Sequence, residues 1–172
     1  MGQYYKPVIV TDKDEVTGWF DSWDYNNGLK LMEHSWVGNI FVKAVEAYLF
    51  NNPARLAWSG DYDEVKEFYD KAGEDTHLPK QDTSGITDGR YIINHTKKCA
   101  VRVPDEPADD CPYGEWPVHP LPLLTAMGNG KGGGDYYGES CKDMVGTWAM
   151  DLIEVAYEVP EGYEVQDIVF KE

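Results

Sequence analysis

The amino-acid sequence predicts an α+β domain in which two helices accompany a largely antiparallel sheet. Segments rich in aromatic and β-branched residues come in two groups, 4–20 and 91–103, and each group has a short polar connection suited to a hairpin. Helical periodicity occurs between the groups, and apolar and polar residues alternate again near the end. Strands grouped in this way favour antiparallel pairing. A chain of 172 residues is long enough for one domain, 1–172, with a substantial core.

The first group begins with residues 4–10 and 16–20, which predict two strands joined by the polar connection TDKDE. Residues 28–36 predict a third strand, because leucines alternate with a lysine there.

Two helices and a further strand follow. Asn39 is a suitable N-cap for a helix over 40–50, which has apolar residues on one face and a proline after its end. Residues 55–60 predict a short strand. Asp63 is a suitable N-cap for a second, amphipathic helix that ends at Gly73.

The second half is again predicted to be mostly β-structure. Residues 91–95 and 99–103 predict another hairpin. Residues 104–122 contain six prolines and predict a connector without regular structure. Alternation over 153–159 predicts a half-buried strand, and 168–170 favours one more.

A pattern of Gly-Asn followed twenty residues later by Trp-x-x-Asp occurs twice. The members are Gly38-Asn39 with Trp58 and Asp61, and, ninety positions later, Gly128-Asn129 with Trp148 and Asp151. One interpretation is two related halves, about 1–75 and 90–160, that share one sheet. The other is chance agreement in an aromatic-rich sequence.

Residues 127–138, MGNGKGGGDYYG, contain six glycines and one lysine. A Walker phosphate loop would need a glycine where Thr125 stands and a Ser or Thr after Lys131, so that motif is incomplete. A dinucleotide fingerprint would need a helix after the glycines, and no helical pattern follows. Two interpretations remain open: a nest of backbone N–H groups for an anion, or a plain surface loop.

The candidate ligand contacts follow from the first interpretation. In the loop they are Asn129, Lys131, Gly132, Gly133, Gly134 and Asp135. Asp135 would repel a phosphate unless a metal bridged the two. Asp61 and Asp151 could form a carboxylate pair for metal or acid-base chemistry, or simply cap turns. Trp58 and Trp148 could stack on a base.

The histidines and cysteines predict structural roles. His34, His77, His95 and His119 lack metal-ligand spacing, and the three cysteines form no Cys-x-x-Cys pair, so we expect free thiols and no metal centre. We also expect no cofactor.

The composition limits the class of partner. The chain has 31 acidic and 15 basic residues, a formal net charge of −16, which disfavours direct nucleic-acid binding. Two interpretations of this charge remain open: it suits a basic protein partner, or it simply keeps the protein soluble and monomeric. We expect a cytoplasmic protein with no membrane association, because neither a signal peptide nor a spanning segment is evident.

Five segments, MGQYYKPV, NGLKLMEHSWVGN, RLAWSGDY, NHTKK and HPLPLLTAMGNGKGGGDYYG, together with VGTWAMDLI, resemble a family of small uncharacterised proteins encoded by bacteriophages and bacteria. The resemblance extends from the first residue to about residue 160. It implies a phage or prophage accessory protein acting in a host cytoplasm. It implies no activity, ligand or catalytic residue.

Two functional hypotheses follow. The first is a non-enzymatic acidic protein that binds or inhibits a basic host protein involved in defence or nucleic-acid handling. The alternative is a binder of a nucleotide-like, phosphate-containing small molecule, or a metal-dependent phosphate-ester hydrolase, that uses the glycine-rich loop.

Overall fold

The computed structural model of the protein describes residues 1–62, 66–112, 116–139, 141–168 and 170. Its strands are β1 (Tyr5–Val10), β2 (Val16–Trp19), β3 (Ala54–Gly60), β4 (Tyr91–Asn94), β5 (Cys99–Arg102), β6 (Ala126–Met127), β7 (Leu152–Ala156) and β8 (Glu164–Gln166). Its helices are α1 (Leu31–His34), α2 (Ile40–Leu49), α3 (Lys66–Lys71) and α4 (Pro120–Thr125). Ser22–Tyr25 and Glu74–Thr76 form short 3-10 turns.

The strands form one sheet in the order β2-β1-β3-β7-β4-β5-β8, and β6 pairs with the end of β3 beside this path. Neighbouring strands are antiparallel except in the β5–β8 and β3–β6 pairs. The α+β class and the largely antiparallel sheet are therefore confirmed. Two of the four described helices, α2 and α3, correspond to the two predicted ones.

Both predicted hairpins are present, and a side chain closes each turn. In the first, Thr11 Oγ1 accepts hydrogen bonds from the backbone N–H groups of Lys13 and Glu15, at 3.2 and 3.1 Å. In the second, Asn94 Oδ1 accepts a hydrogen bond from the Lys97 N–H at 2.9 Å. Short polar side chains stabilise turns in this way by bonding backbone groups that have no strand partner.

Helix α2 begins at the predicted cap. Asn39 Oδ1 accepts a hydrogen bond from the Phe41 N–H at 2.8 Å, which satisfies one of the unpaired donors of the first turn. The chain turns away after the helix at Asn51, whose φ of 50° lies in the left-handed region that asparagine tolerates.

The main core lies between α2, α4 and one face of the sheet. Alternate strand residues such as Ile9, Leu56 and Val155 contribute to it, because successive side chains of a strand point to opposite faces. The other sheet face carries two smaller apolar clusters. One includes Val8 and Ala57 with Ala72 beyond α3, and the other surrounds Ile93, Ala100 and Ala156.

The predicted third strand over 28–36 is wrong, because this segment contains the short helix α1. Glu33 accepts a hydrogen bond from the Lys30 N–H at 2.9 Å, and Ser35 Oγ donates to the Leu31 carbonyl at 2.6 Å. Leu31 and His34 are both buried, and their three-residue spacing places them on one helical face. The helix therefore buries two residues that a strand would separate.

The prediction of no regular structure over 104–122 is also wrong at its end, where α4 begins. His119 Nδ1 caps this helix by accepting a hydrogen bond from the Leu121 N–H at 3.0 Å. Pro120 stands at the first helical position, where a missing N–H has no consequence. The short helix carries Leu121, Leu123 and Leu124 into the core.

Two further predictions meet the limits of the described residues. Helix α3 is present, but its predicted cap Asp63 lies outside the described residues. The last strand comes earlier than predicted, at β8, and Val169 of the predicted segment lies outside as well. Across the described ranges, none of the helices has the length and apolar character needed to cross a bilayer.

The six strands from β2 to β5 are ordered symmetrically about the β3–β7 pair, and β8 is added at one edge. Hairpin β1–β2 lies beside β3, and hairpin β4–β5 lies beside β7. The motif residues do not take matching places, since Trp58 lies within β3 whereas Trp148 precedes β7. Asn39 caps a helix, whereas Asn129 lies in the glycine-rich loop. The division into related halves stays a prediction.

Candidate functional site

The glycine-rich loop forms a nest of N–H groups, and the chain's own Asp135 occupies it. Asp135 Oδ2 accepts hydrogen bonds from the backbone N–H groups of Gly130, Lys131 and Gly132 at 2.8, 3.0 and 3.1 Å. Its Oδ1 accepts a fourth bond from the Tyr5 hydroxyl at 2.9 Å. The Asp135 residue is only 5% exposed. The anion that the nest holds is thus a side chain of the protein itself.

Asn129 closes the loop at its base. Its Oδ1 accepts a hydrogen bond from the Tyr136 N–H at 2.8 Å, and its Nδ2 donates to the Tyr136 carbonyl at 3.2 Å. The loop also bonds to the N-terminal segment, because the Gly133 N–H donates to the Met1 carbonyl at 2.9 Å and the Gln3 N–H donates to the Gly133 carbonyl at 3.1 Å. These bonds make it an ordered part of the fold.

Two glycines of the loop are required by close packing. A Cβ at position 132 would lie 2.7 Å from the backbone nitrogen of Gln3. At position 134 a Cβ would lie 2.7 Å from the Lys30 side chain, and the φ of +84° there is disfavoured for other residues. Because these two residues have no side chain, the loop can pack closely against the N-terminal segment and the start of α1.

The interpretation of the loop as an external anion site is therefore corrected. A phosphate would have to displace a carboxylate that four hydrogen bonds hold. The backbone N–H of Lys131 donates to Asp135, and the backbone groups of Gly133 and Gly134 bond to neighbouring backbone. These backbone groups therefore have partners within the protein and do not form a phosphate site.

A cleft of about 780 Å³ lies beside the loop. It is lined by residues 126–130 and 136–139 and by Lys142, Val145, Gly146 and Ala149. Its volume falls within the range of about 300–1,000 Å³ typical of small-molecule sites. Among the described residues, the charged ones that line it are Glu139 and Lys142, whose Oε2 and Nζ atoms lie 3.7 Å apart.

The predicted tryptophans are not available for stacking on a ligand. Trp58 is fully buried within β3, and Trp148 is 2% exposed in the main core. Trp58 Nε1 donates a hydrogen bond to His34 Nε2 at 3.0 Å. Both indole rings stabilise the interior.

Asp61 and Asp151 do not form a pair. Asp61 follows the end of β3 and accepts a hydrogen bond from the Tyr4 N–H at 3.0 Å. Asp151 lies near the start of β3, where its carbonyl accepts a hydrogen bond from the Leu56 N–H. Leu56 is five positions from Asp61, so roughly 16 Å of strand separates the two aspartates at the usual rise per residue. The Asp151 carboxylate accepts a hydrogen bond from Asn94 Nδ2 at 2.8 Å and pairs with Lys97.

His34 has the structural role that the sequence predicts. Its Nε2 accepts from Trp58, so its Nδ1 carries the hydrogen and donates to the Gly28 carbonyl at 2.9 Å. Burial lowers the pKa of His34 to about 4. The ring is therefore neutral at physiological pH.

A buried charged network connects α2, α4 and the segment before β4. Glu46 accepts hydrogen bonds from Arg90 Nε at 2.9–3.0 Å and from His119 Nε2 at 2.5 Å. Burial would raise the pKa of Glu46, but His119 and Arg90 together hold it below its usual range. All three side chains are buried, so the network is part of the interior. The sequence reasoning missed Glu46 and Arg90.

Carboxylates and aromatic rings collect on one surface, which we call the acidic face. Contacts and charge interactions connect six of its members: Tyr4, Asp21, Asp24, Asp61, Tyr69 and Asp70. Trp23, Glu74 and Asp75 belong to the two 3-10 turns of the same surface. Trp19 connects these elements, since its Nε1 donates to the Gly73 carbonyl at 2.6 Å. Trp23 is 67% exposed and Tyr4 41%.

The charges of the acidic face act on one another. Burial raises the pKa of Tyr69 to about 12, and Asp61 and Asp21 add to the shift. Lys6 Nζ lies 4.1 Å from the centroid of the Tyr69 ring and 4.6 Å from that of Trp19. The face thus already holds one cation between two aromatic rings.

One group on the acidic face could hold a metal ion. Asp21, Asp24 and His77 each offer a ligand atom, and these atoms lie within 4.8 Å of one another. His77 Nε2 bonds to Asp24 Oδ2 at 2.7 Å. The sequence did not predict this group, because His77 is more than fifty positions from the two aspartates.

The three cysteines are free thiols, as predicted.

Comparison of the chain with family models, with curated proteins and with solved structures gives no match.

Proposed function

We propose that the protein binds a basic protein partner through the acidic face. The resemblance to uncharacterised phage and bacterial proteins, which implies a phage or prophage accessory protein in a host cytoplasm, supports the proposal. The observation that carries the proposal is the exposed Trp23 indole, which belongs to a turn that begins at Asp21 and contains Asp24. Tryptophan is a frequent energetic centre of interfaces. The faces of tryptophan rings attract the guanidinium of arginine, and the surrounding carboxylates can pair with it.

The excess negative charge supports the same proposal. At −16 the protein attracts cationic surfaces at long range, which speeds association and makes it dependent on salt. The carboxylates of Asp70, Glu74 and Asp75 are exposed and available to a partner. The ligand that best fits this surface is a protein segment rich in arginine.

The test measures binding of an arginine-rich peptide by calorimetry in low and moderate salt. Trp23→Ala is expected to weaken binding about tenfold, equivalent to about 1.4 kcal/mol. Neutralising Asp70, Glu74 and Asp75 together is expected to weaken it at least as much and to reduce the salt dependence.

The matched control neutralises Asp109, Asp110 and Glu161, which are also exposed but belong to other segments. It changes the net charge equally. If both triple variants lose the same affinity, binding reflects net charge alone and the acidic face is not the site.

A second candidate function is small-molecule binding in the cleft beside the glycine-rich loop, which its volume favours. The ligand would contact Lys142 and the exposed Tyr137, not the nest. A panel of nucleotides and phosphorylated metabolites, with and without magnesium, is expected to raise the melting temperature of the wild type. Ala149→Phe, which fills the cleft, should abolish the rise. An unchanged rise would place the ligand elsewhere.

A further inference from the structure

A hydrogen-bonded chain of Glu154, His95 and Tyr163 lies on the sheet face opposite the main core. His95 Nε2 lies 2.7 Å from Glu154 Oε1, and His95 Nδ1 lies 2.8 Å from the Tyr163 hydroxyl. The three residues come from the β4–β5 turn, β7 and the segment before β8. They are unrelated to the acidic face and to the cleft.

With a neutral His95 ring, the bonds are consistent with one tautomer. An ionised carboxylate can only accept, so the Nε2 of His95 carries the hydrogen that bonds to Glu154. The Nδ1 lone pair of a neutral ring then faces the Tyr163 hydroxyl. A hydroxyl nucleophile, a base within hydrogen-bond distance and a third group that orients the base are the arrangement that activates nucleophiles in acyl transfer.

The group is also accessible. The side chains of His95 and Glu154 are 21% and 17% exposed, and Tyr163 is half-buried. The Tyr163 ring packs against Ile93, Ala100 and Ala156, which holds it in place. The Glu46–His119 pair, by contrast, is sealed in the core and has no hydroxyl on the histidine.

We propose that Tyr163 is a reactive tyrosine that accepts an acyl group from activated carboxylic esters. The phenol oxygen attacks the ester carbonyl while His95 Nδ1 takes its proton, and the resulting imidazolium is stabilised by Glu154. The carbon–oxygen bond to the leaving group then breaks, and the alkoxide or aryloxide takes the proton back from Nδ1. The products are O-acyl Tyr163 and an alcohol or phenol, with His95 and Glu154 returned to their starting states.

The probe is p-nitrophenyl acetate, and acetylation is followed by peptide mass spectrometry. Tyr157 serves as a control within the same molecule, because it is also half-buried but its hydroxyl bonds to Thr87 and to the Gly85 carbonyl. Tyr163 is expected to react at least tenfold faster than Tyr157. Hydroxylamine should remove the acetyl group from Tyr163 and leave acetylated lysines unchanged.

Two variants separate activation from mere packing. His95→Gln and Glu154→Gln are expected to slow acetylation of Tyr163 about a hundredfold and several-fold respectively, within the range of general base catalysis. The rate at Tyr157 should not change in either. Equal rates at the two tyrosines of the wild type, which need no variant to measure, would overturn the proposal. So would a wild-type rate in a folded His95→Gln protein.

Discussion

Replacing Asp135 by alanine is expected to destabilise the protein and to open the nest. The variant loses the hydrogen bonds from the N–H groups of residues 130–132 to the carboxylate. Each lost bond costs about 0.5–1 kcal/mol, because Gly130 and Lys131 are exposed and water can replace the carboxylate. The Tyr5 hydroxyl is buried, and losing its acceptor costs about 1–3 kcal/mol. The free energy of unfolding should fall by about 4 kcal/mol in urea titrations.

The variant should also gain an anion site that the wild type lacks. Three N–H groups would then point at an empty space, which is the arrangement that binds phosphate and sulfate. Inorganic phosphate at a hundredfold excess over its Kd should restore about 2–3 kcal/mol to Asp135→Ala, measured at constant ionic strength. Wild type should show no such gain.

Asp143→Ala is the matched control, since it removes one exposed carboxylate from the same third of the chain. Asp135→Asn, which keeps one acceptor oxygen, should lie between wild type and Asp135→Ala in stability. Equal stabilisation of all four proteins by phosphate would refute the reasoning, because it would show that Asp135 does not fill the nest.

Three further outcomes are expected from the interior. Between pH 6.5 and pH 4 the unfolded chain protonates at His34 before the native protein does, so the free energy of unfolding falls with falling pH by about 3 kcal/mol in total. His34→Gln should remove this loss in urea titrations across that range. If the free energy of unfolding of the variant depended on pH as in wild type, His34 would not be a buried neutral ring. Gly132→Ala should lower the melting temperature by several degrees, because its Cβ meets the Gln3 backbone, whereas Gly85→Ala, where a Cβ meets nothing within 4 Å, should not. Glu46→Gln should reduce the free energy of unfolding by about 3–5 kcal/mol, since the Arg90 charge remains buried without a counterion; a loss below about 1 kcal/mol in urea would exclude that role.

The parts of the fold that depend on local chemistry could be predicted from the sequence. The Asn39 cap reaches an N–H only two residues away, and both hairpin turns are closed by a side chain within four residues. The segment around His34 was mispredicted because a few alternating residues fit a strand as well as a single helical turn. Leu31 and His34, three positions apart and both buried, were the signal that could have identified α1.

The candidate site depended on distant partners and was harder to predict. The Asp135 carboxylate lies three to five residues from its N–H donors, so the signal was local, but its bond to Tyr5 spans 130 positions. Trp58 falls within the predicted strand 55–60 and Trp23 lies outside the predicted elements, but the sequence alone does not give the exposure of either ring. The relay through His95 joins residues 59 and 68 positions away, which only the folded sheet brings together.

The position of β3 has a consequence for synthesis on the ribosome. One edge of this strand pairs with β1, which emerges before it, but the opposite edge waits for β6 and β7, made some seventy to a hundred residues later. At about 5–20 residues per second, its backbone stays open for several seconds in a partly made chain. During that interval an incomplete molecule can pair with another exposed strand, so chaperone occupancy of nascent chains should end once residue 156 has left the exit tunnel.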